Sequence, residues 1–245
     1  MSKVIERLKG GPGRPGMIKI MKVIEKYQNS SLNNRDVRWY LFDGTLWITK
    51  CNNYYEIEDN IQKSFGSFQW LYDSNDTVLF NDEGRFESAV IDLVDVKNGT
   101  LKKYTDLIKT GKKGDLFIAE KKYYSLEFLP TVIYSENEDI LLSVPIGFEN
   151  QKTLMLFIVD DFGFVIVNHQ LKGWILKNAS EYVCIKDQYN KNITPKMLEK
   201  FFNGLKLWDE KEDSSELEIL LAESMKRMKE DDEFICALRE CIMDL

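Results

Sequence analysis

From Val37 to Lys186 the chain is a succession of short apolar runs, rich in β-branched and aromatic residues and broken about every ten residues by Gly, Asn or Asp. Runs this short suit strands better than helices, and their spacing predicts antiparallel sheets in small barrel or sandwich units. The expected strands cover residues 37–42, 45–50, 68–72, 77–80, 86–97, 115–119, 123–128, 140–144, 154–159, 164–168, 174–176 and 182–186. Asp43-Gly44 predicts a two-residue type I′ hairpin, because both central positions of that turn need positive φ. Asn98-Gly99 offers a second tight turn into a strand over 100–108.

Helical periodicity takes over near the C-terminus. Thr194-Pro195 supplies an N-cap and a proline at the first helical position, opening a helix to about Leu207. Ser215-Glu216-Leu217-Glu218 fits a capping box at the head of a helix to about Lys229, and a last helix is expected over 233–243. Shorter amphipathic helices are expected over Met17–Gln28 and Tyr54–Phe65, the latter stopped by Gly66. The glycines and prolines of residues 10–16 admit neither helix nor sheet. The fold class is therefore α+β: antiparallel and β-rich, with a C-terminal helical segment. Four regions are expected: a flexible basic arm (1–16), an N-terminal α+β region (17–110), a β-rich barrel-like region (111–190) and an acidic helical segment (194–245).

With 44% hydrophobic and 12% aromatic residues the chain is globular in composition. Its longest apolar stretch, Leu154–Val159, ends at Asp160-Asp161 and predicts a buried strand, not a membrane span. Met1–Gly16 lacks the apolar core of a secretory signal, so a cytoplasmic protein with no membrane partner is expected. Twenty-six lysines stand against seven arginines, and there are only five alanines. That is the bias of an AT-rich genome, such as a low-GC bacterium or one of its phages, and it makes lysine weak support for a nucleic-acid partner. A phage-encoded chain would be expected in the host cytoplasm or in the virion.

Reactive groups are sparse. The single histidine, His169, sits between Asn168 and Gln170 in an expected surface turn, which disfavours Ser-His-Asp, Cys-His and His-rich metal chemistry. Cys51, Cys184, Cys236 and Cys241 contain no Cys-x-x-Cys and read as reduced thiols. Gly111-Lys112-Lys113-Gly114 lacks phosphate-loop spacing and precedes a strand. Asp161-Phe162-Gly163 matches the kinase magnesium triplet without its companion motifs. Neither a metal nor a cofactor is expected.

Two functional readings remain. The first is a non-catalytic protein-binding or assembly factor: an inhibitor, adaptor or particle component acting through surface charge and shape. Its charge is polarised. Residues 1–26 carry seven basic and two acidic side chains, and residues 199–245 carry seven basic and fourteen acidic. Partner-binding candidates are Lys9, Arg14 and Lys19 in the basic segment, and Met225 and Met228, an adaptable stripe among carboxylates suited to a basic partner. Gly13-Arg14-Pro15 resembles the core of an AT-hook peptide, which keeps a nucleic-acid contact open for residues 1–26, although the acidic chain as a whole argues against it. The alternative is a Mg²⁺-dependent nuclease resembling the PD-(D/E)xK type, with Asp82 and Asp95 on the metal, Lys97 polarising the attacking water and Glu87 as a further ligand.

Overall fold

The computed structural model describes residues 20–24, 32–61, 63–67, 76–93, 95–118, 120–121, 131–145, 151–186, 188–229 and 232–244. The expected arm over 1–16 and the expected strands over 68–72 and 123–128 lie outside them. The α+β class is observed: two mostly antiparallel sheets followed by C-terminal helices.

The first sheet runs in the order β7 (Asp95–Asn98), β10 (Thr131–Ser135), β11 (Ile140–Ser143), β14 (Gln170–Lys177), β13 (Phe162–Val167), β12 (Thr153–Phe157), β8 (Lys112–Lys113). The second runs β16 (Gln188–Tyr189), β15 (Val183–Ile185), β2 (Val37–Tyr40), β3 (Thr45–Ile48), β6 (Phe86–Asp92), β5 (Thr77–Phe80), β4 (Phe65–Ser67). The sheets face each other across one core that holds Leu46, Val78 and Ile91 from one and Leu141, Phe164 and Trp174 from the other. Phe86 meets Phe164 edge-on across it, with ring centroids 5.0 Å apart.

The outer faces are covered as well. Helix α1 (Tyr54–Ile61) lays Ile57 and Ile61 over Trp47, Leu79 and Val90 of the second sheet. A 3₁₀ turn (Lys102–Tyr104) and helix α2 (Thr105–Lys109) cover Leu142, Val165 and Ile175 of the first. Burial on both faces explains why Thr45–Ile48 and Phe162–Val167 are apolar almost throughout instead of alternating.

Several local expectations are corrected. Residues 20–24 form strand β1, not part of a helix, and pair antiparallel with β9 (Asp115–Ile118), whose ladder offers partners to the β-branched Ile20, Val23 and Ile24. In the β2–β3 hairpin Tyr40 lies opposite Thr45, so the loop is the four residues 41–44, with Gly44 at φ 61°. Leu41 and Phe42 leave the ladder because the core takes them, Phe42 packing on Phe201 at 5.4 Å. The two-residue positive-φ turn occurs instead at Asn168-His169, where Val167 faces Gln170. His169 is exposed there, as expected.

The expected strand over 100–108 is instead helical from Lys102 to Lys109, and Leu101, Tyr104 and Ile108 share one apolar stripe. Gly66 is inside β4 and does not cap α1. The expected long strand 86–97 divides: β6 stays in the second sheet, Leu93 donates its amide to the Gly44 carbonyl at 2.7 Å, and β7 crosses to pair in parallel with β10.

Helices α3 (Pro195–Lys211), α4 (Ser215–Met225) and α5 (Glu233–Asp244) close one end. Thr194 caps α3 through the Met197 amide at 3.4 Å, as its sequence predicts. Helix α4 opens differently from its expected box: Asp213 accepts from the Ser215 amide at 2.9 Å, and Ser214 reaches Glu218. Hydrogen bonds there hold the Asp213 carboxyl below its usual range. No helix among the described residues is long and apolar enough to cross a membrane.

Candidate functional site

The pairing of α3 with the sheets is built from aromatic side chains at its first turns. Phe202 stacks on Trp39 of β2, centroids 5.9 Å apart and planes 11° from parallel, and meets Tyr134 of β10 at 5.5 Å. Asn98, at the end of β7, donates to the Glu199 carbonyl and to Asn203, both at 2.8 Å. The Tyr134 hydroxyl donates to Asp139 at 3.1 Å and sits 3.2 Å from the Pro195 carbonyl. Burial, then Asp139, raises its pKa far above the usual phenol range. Asp139 itself, at φ 51°, accepts from the Ser180 hydroxyl at 2.6 Å.

Because α3 is held by its inner face while the 41–44 loop and the β6–β7 crossover diverge beneath it, a cleft opens between them with a volume of about 430 Å³. Its floor is apolar: Trp39, Leu41, Phe42, Leu93, Val96, Phe201, Phe202 and Leu205, with Cys241 from α5. Phe42, Val96, Leu205 and Cys241 are half-buried, presenting part of their apolar surface. The walls carry Asp95 paired with Lys97 at 2.8 Å, Lys206 paired with Glu210 at 3.8 Å, and Asp209. Burial, reinforced by Asp244, raises the Cys241 thiol pKa, which favours the neutral form over a nucleophilic thiolate.

The sequence-derived candidates are distributed as follows. Asp95 and Lys97 come together on this cleft. Asp82 does not join them: it lies in the turn before β6, and the seven residues of β6 place it roughly 20 Å from Asp95 at about 3.3 Å per residue. A cation needs its oxygens within about 2.1 Å, so the proposed nuclease triad is not assembled. Glu87 instead accepts from Ser64 at 3.0 Å. Among the described residues no group of three or more His, Cys, Asp or Glu is placed to hold a metal ion. Asp161 of the kinase-like triplet accepts from Tyr182 at 2.7 Å and Asn178 at 3.0 Å, a bond set that fixes the Phe162 strand to the neighbouring turn. Met225 is 42% exposed and touches Arg239, whereas Met228 packs against the core and lines a second cavity of about 520 Å³ with Met197, Arg227 and Asp232; neither lines the cleft at α3. Lys9, Arg14 and Lys19 lie outside the described residues.

The floor residues Phe42, Val96 and Leu205 are the part that sequence reasoning missed. Each carries an ordinary apolar signal, and only the departure of Leu41-Phe42 from the hairpin ladder sets them side by side. The Asp95–Lys97 pair is roughly half exposed, which limits it to about 0–1 kcal/mol. Asp95→Ala is therefore expected to leave the urea unfolding midpoint nearly unchanged and to leave nucleic-acid substrates uncut to the same degree as the parent.

The first turns of α3, outside the cleft lining, carry a pH response. Glu199 of α3 faces Glu136 of the β10–β11 turn, and burial, then Glu136, raises its pKa while Lys196 opposes this. A carboxyl with a folded pKa above its unfolded one contributes stability that is fully present below the unfolded pKa and is lost as pH rises through the folded pKa. Glu199→Gln is therefore expected to raise the melting temperature at neutral pH and to flatten the fall in stability as pH rises above the usual carboxylate range, read by thermal unfolding.

No protein-family model matches the chain, and comparisons with curated proteins and with solved structures find no match.

Proposed function

We propose that the chain is a non-catalytic protein-binding or assembly factor that holds its partner in the cleft between the hairpin loop, β7 and α3. The observation that carries this reading is the half-buried apolar floor of Phe42, Val96 and Leu205 on a frame of two sheets and a helix. Apolar surface held open on a rigid scaffold is what partner anchors occupy, and a cleft of this volume falls in the range of ligand-binding pockets. The lysine bias supports a low-GC bacterium or its phage as the source, and with it the roles of inhibitor, adaptor or particle component in the host cytoplasm or the virion.

The test is affinity capture from the source cells with the parent chain and Leu205→Asp side by side, quantified by mass spectrometry. A defined partner retained by the parent and depleted about tenfold by the variant supports the reading. Equal recovery on both chains, with the variant folded by circular dichroism, contradicts it.

A further inference from the structure

We infer that the occupant of the cleft is a basic amphipathic peptide segment: an apolar anchor flanked by lysine or arginine. This rests on the binding reading above and specifies the partner. The charge at the cleft is unbalanced. Its two lysines, Lys97 and Lys206, are each paired with a carboxylate, Asp95 and Glu210. Asp209 lines the wall with no ion-pair partner among the described residues.

One further carboxylate stands at the margin in the same state: Asp244, three residues beyond the lining Cys241 in α5, is close enough to act on its thiol. The surplus at the rim is therefore negative, above an apolar floor. Such a surface attracts cationic side chains to the rim and repels phosphate, while the floor takes the anchor. A neutral apolar peptide would leave these carboxylates without partners, and an acidic one would add like-charge repulsion.

The experiment is selection of a random linear-peptide library, displayed on phage, against the full chain, followed by fluorescence anisotropy of the enriched peptides. Enriched sequences are expected to combine an aromatic or aliphatic anchor with lysine or arginine. They should bind about tenfold more weakly to Asp209→Lys and to Leu205→Asp, bind Met225→Glu as they bind the parent, and weaken as salt rises. Thermal unfolding of each variant keeps folding separate from binding. Peptides that need Leu205 but are indifferent to Asp209→Lys overturn the basic partner while leaving the cleft as the binding site. Peptides indifferent to both, or no enrichment, overturn the inference. So does self-association lost in Leu205→Asp, which would make the occupant a second copy, or RNA or DNA binding with the same dependence.

Discussion

Phe202→Ala is expected to lower the unfolding free energy by about 3–5 kcal/mol, the cost of emptying a fully packed aromatic site. Phe202 is the residue through which α3 joins both sheets, since its ring lies flat on Trp39 of one and against Tyr134 of the other. Truncation removes both ring contacts and leaves a void bordered by Phe201 and Trp39, which the surrounding strands are too well paired to close. The same substitution removes part of the cleft floor, so partner binding should fall together with stability. Denaturant titration followed by tryptophan fluorescence reads the first effect. Leu205→Asp, at the half-buried floor of the cleft and away from the Trp39 and Tyr134 rings, separates the second.

The other large effect is expected at Gly173. Its position in β14, opposite Val165 of β13, brings the backbone so close to β11 that an added Cβ overlaps the Ser143 carbonyl oxygen. The clash is with backbone of a central strand, so no side-chain rotation relieves it. Gly173→Val should therefore cost about 3 kcal/mol or more, at or beyond the upper end of overpacking penalties. Gly163, whose Cβ would meet the Leu156 carbonyl at 2.8 Å, should be less sensitive to alanine, and the ranking of the two in urea melts checks the packing of the first sheet.

The sequence carries the fold class plainly, and the reasons are specific. Thr194-Pro195 marks the start of α3 because a cap and a φ-restricted proline act locally, without tertiary help. The runs at Thr77–Phe80 and Ile140–Ser143 mark strands by composition alone. What fails is whatever depends on another part of the chain. Ile20–Ile24 has a plausible helical stripe, yet β9 offers it a ladder. Residues 86–97 look like one strand because no glycine or proline interrupts them, and nothing local announces that the chain changes sheets between the two pieces.

The site was legible in the same partial way. Asp95 and Lys97 stand out as polar residues at a strand end, but their setting is an ion pair on a cleft wall, and Asp82 belongs to the far end of β6. The cleft floor was silent because Phe42 and Leu205 are indistinguishable by type from core residues. Their shared exposure arises only where hairpin, crossover and helix converge.

Amide hydrogen exchange of the chain with and without its captured partner tests the central claim most directly. Slowed exchange at residues 41–44, 95–98 and 203–210, with α1 unchanged, is the result predicted for a partner seated in the cleft. Protection confined to α1 or to the outer face of either sheet, with those three segments unaltered, would contradict it.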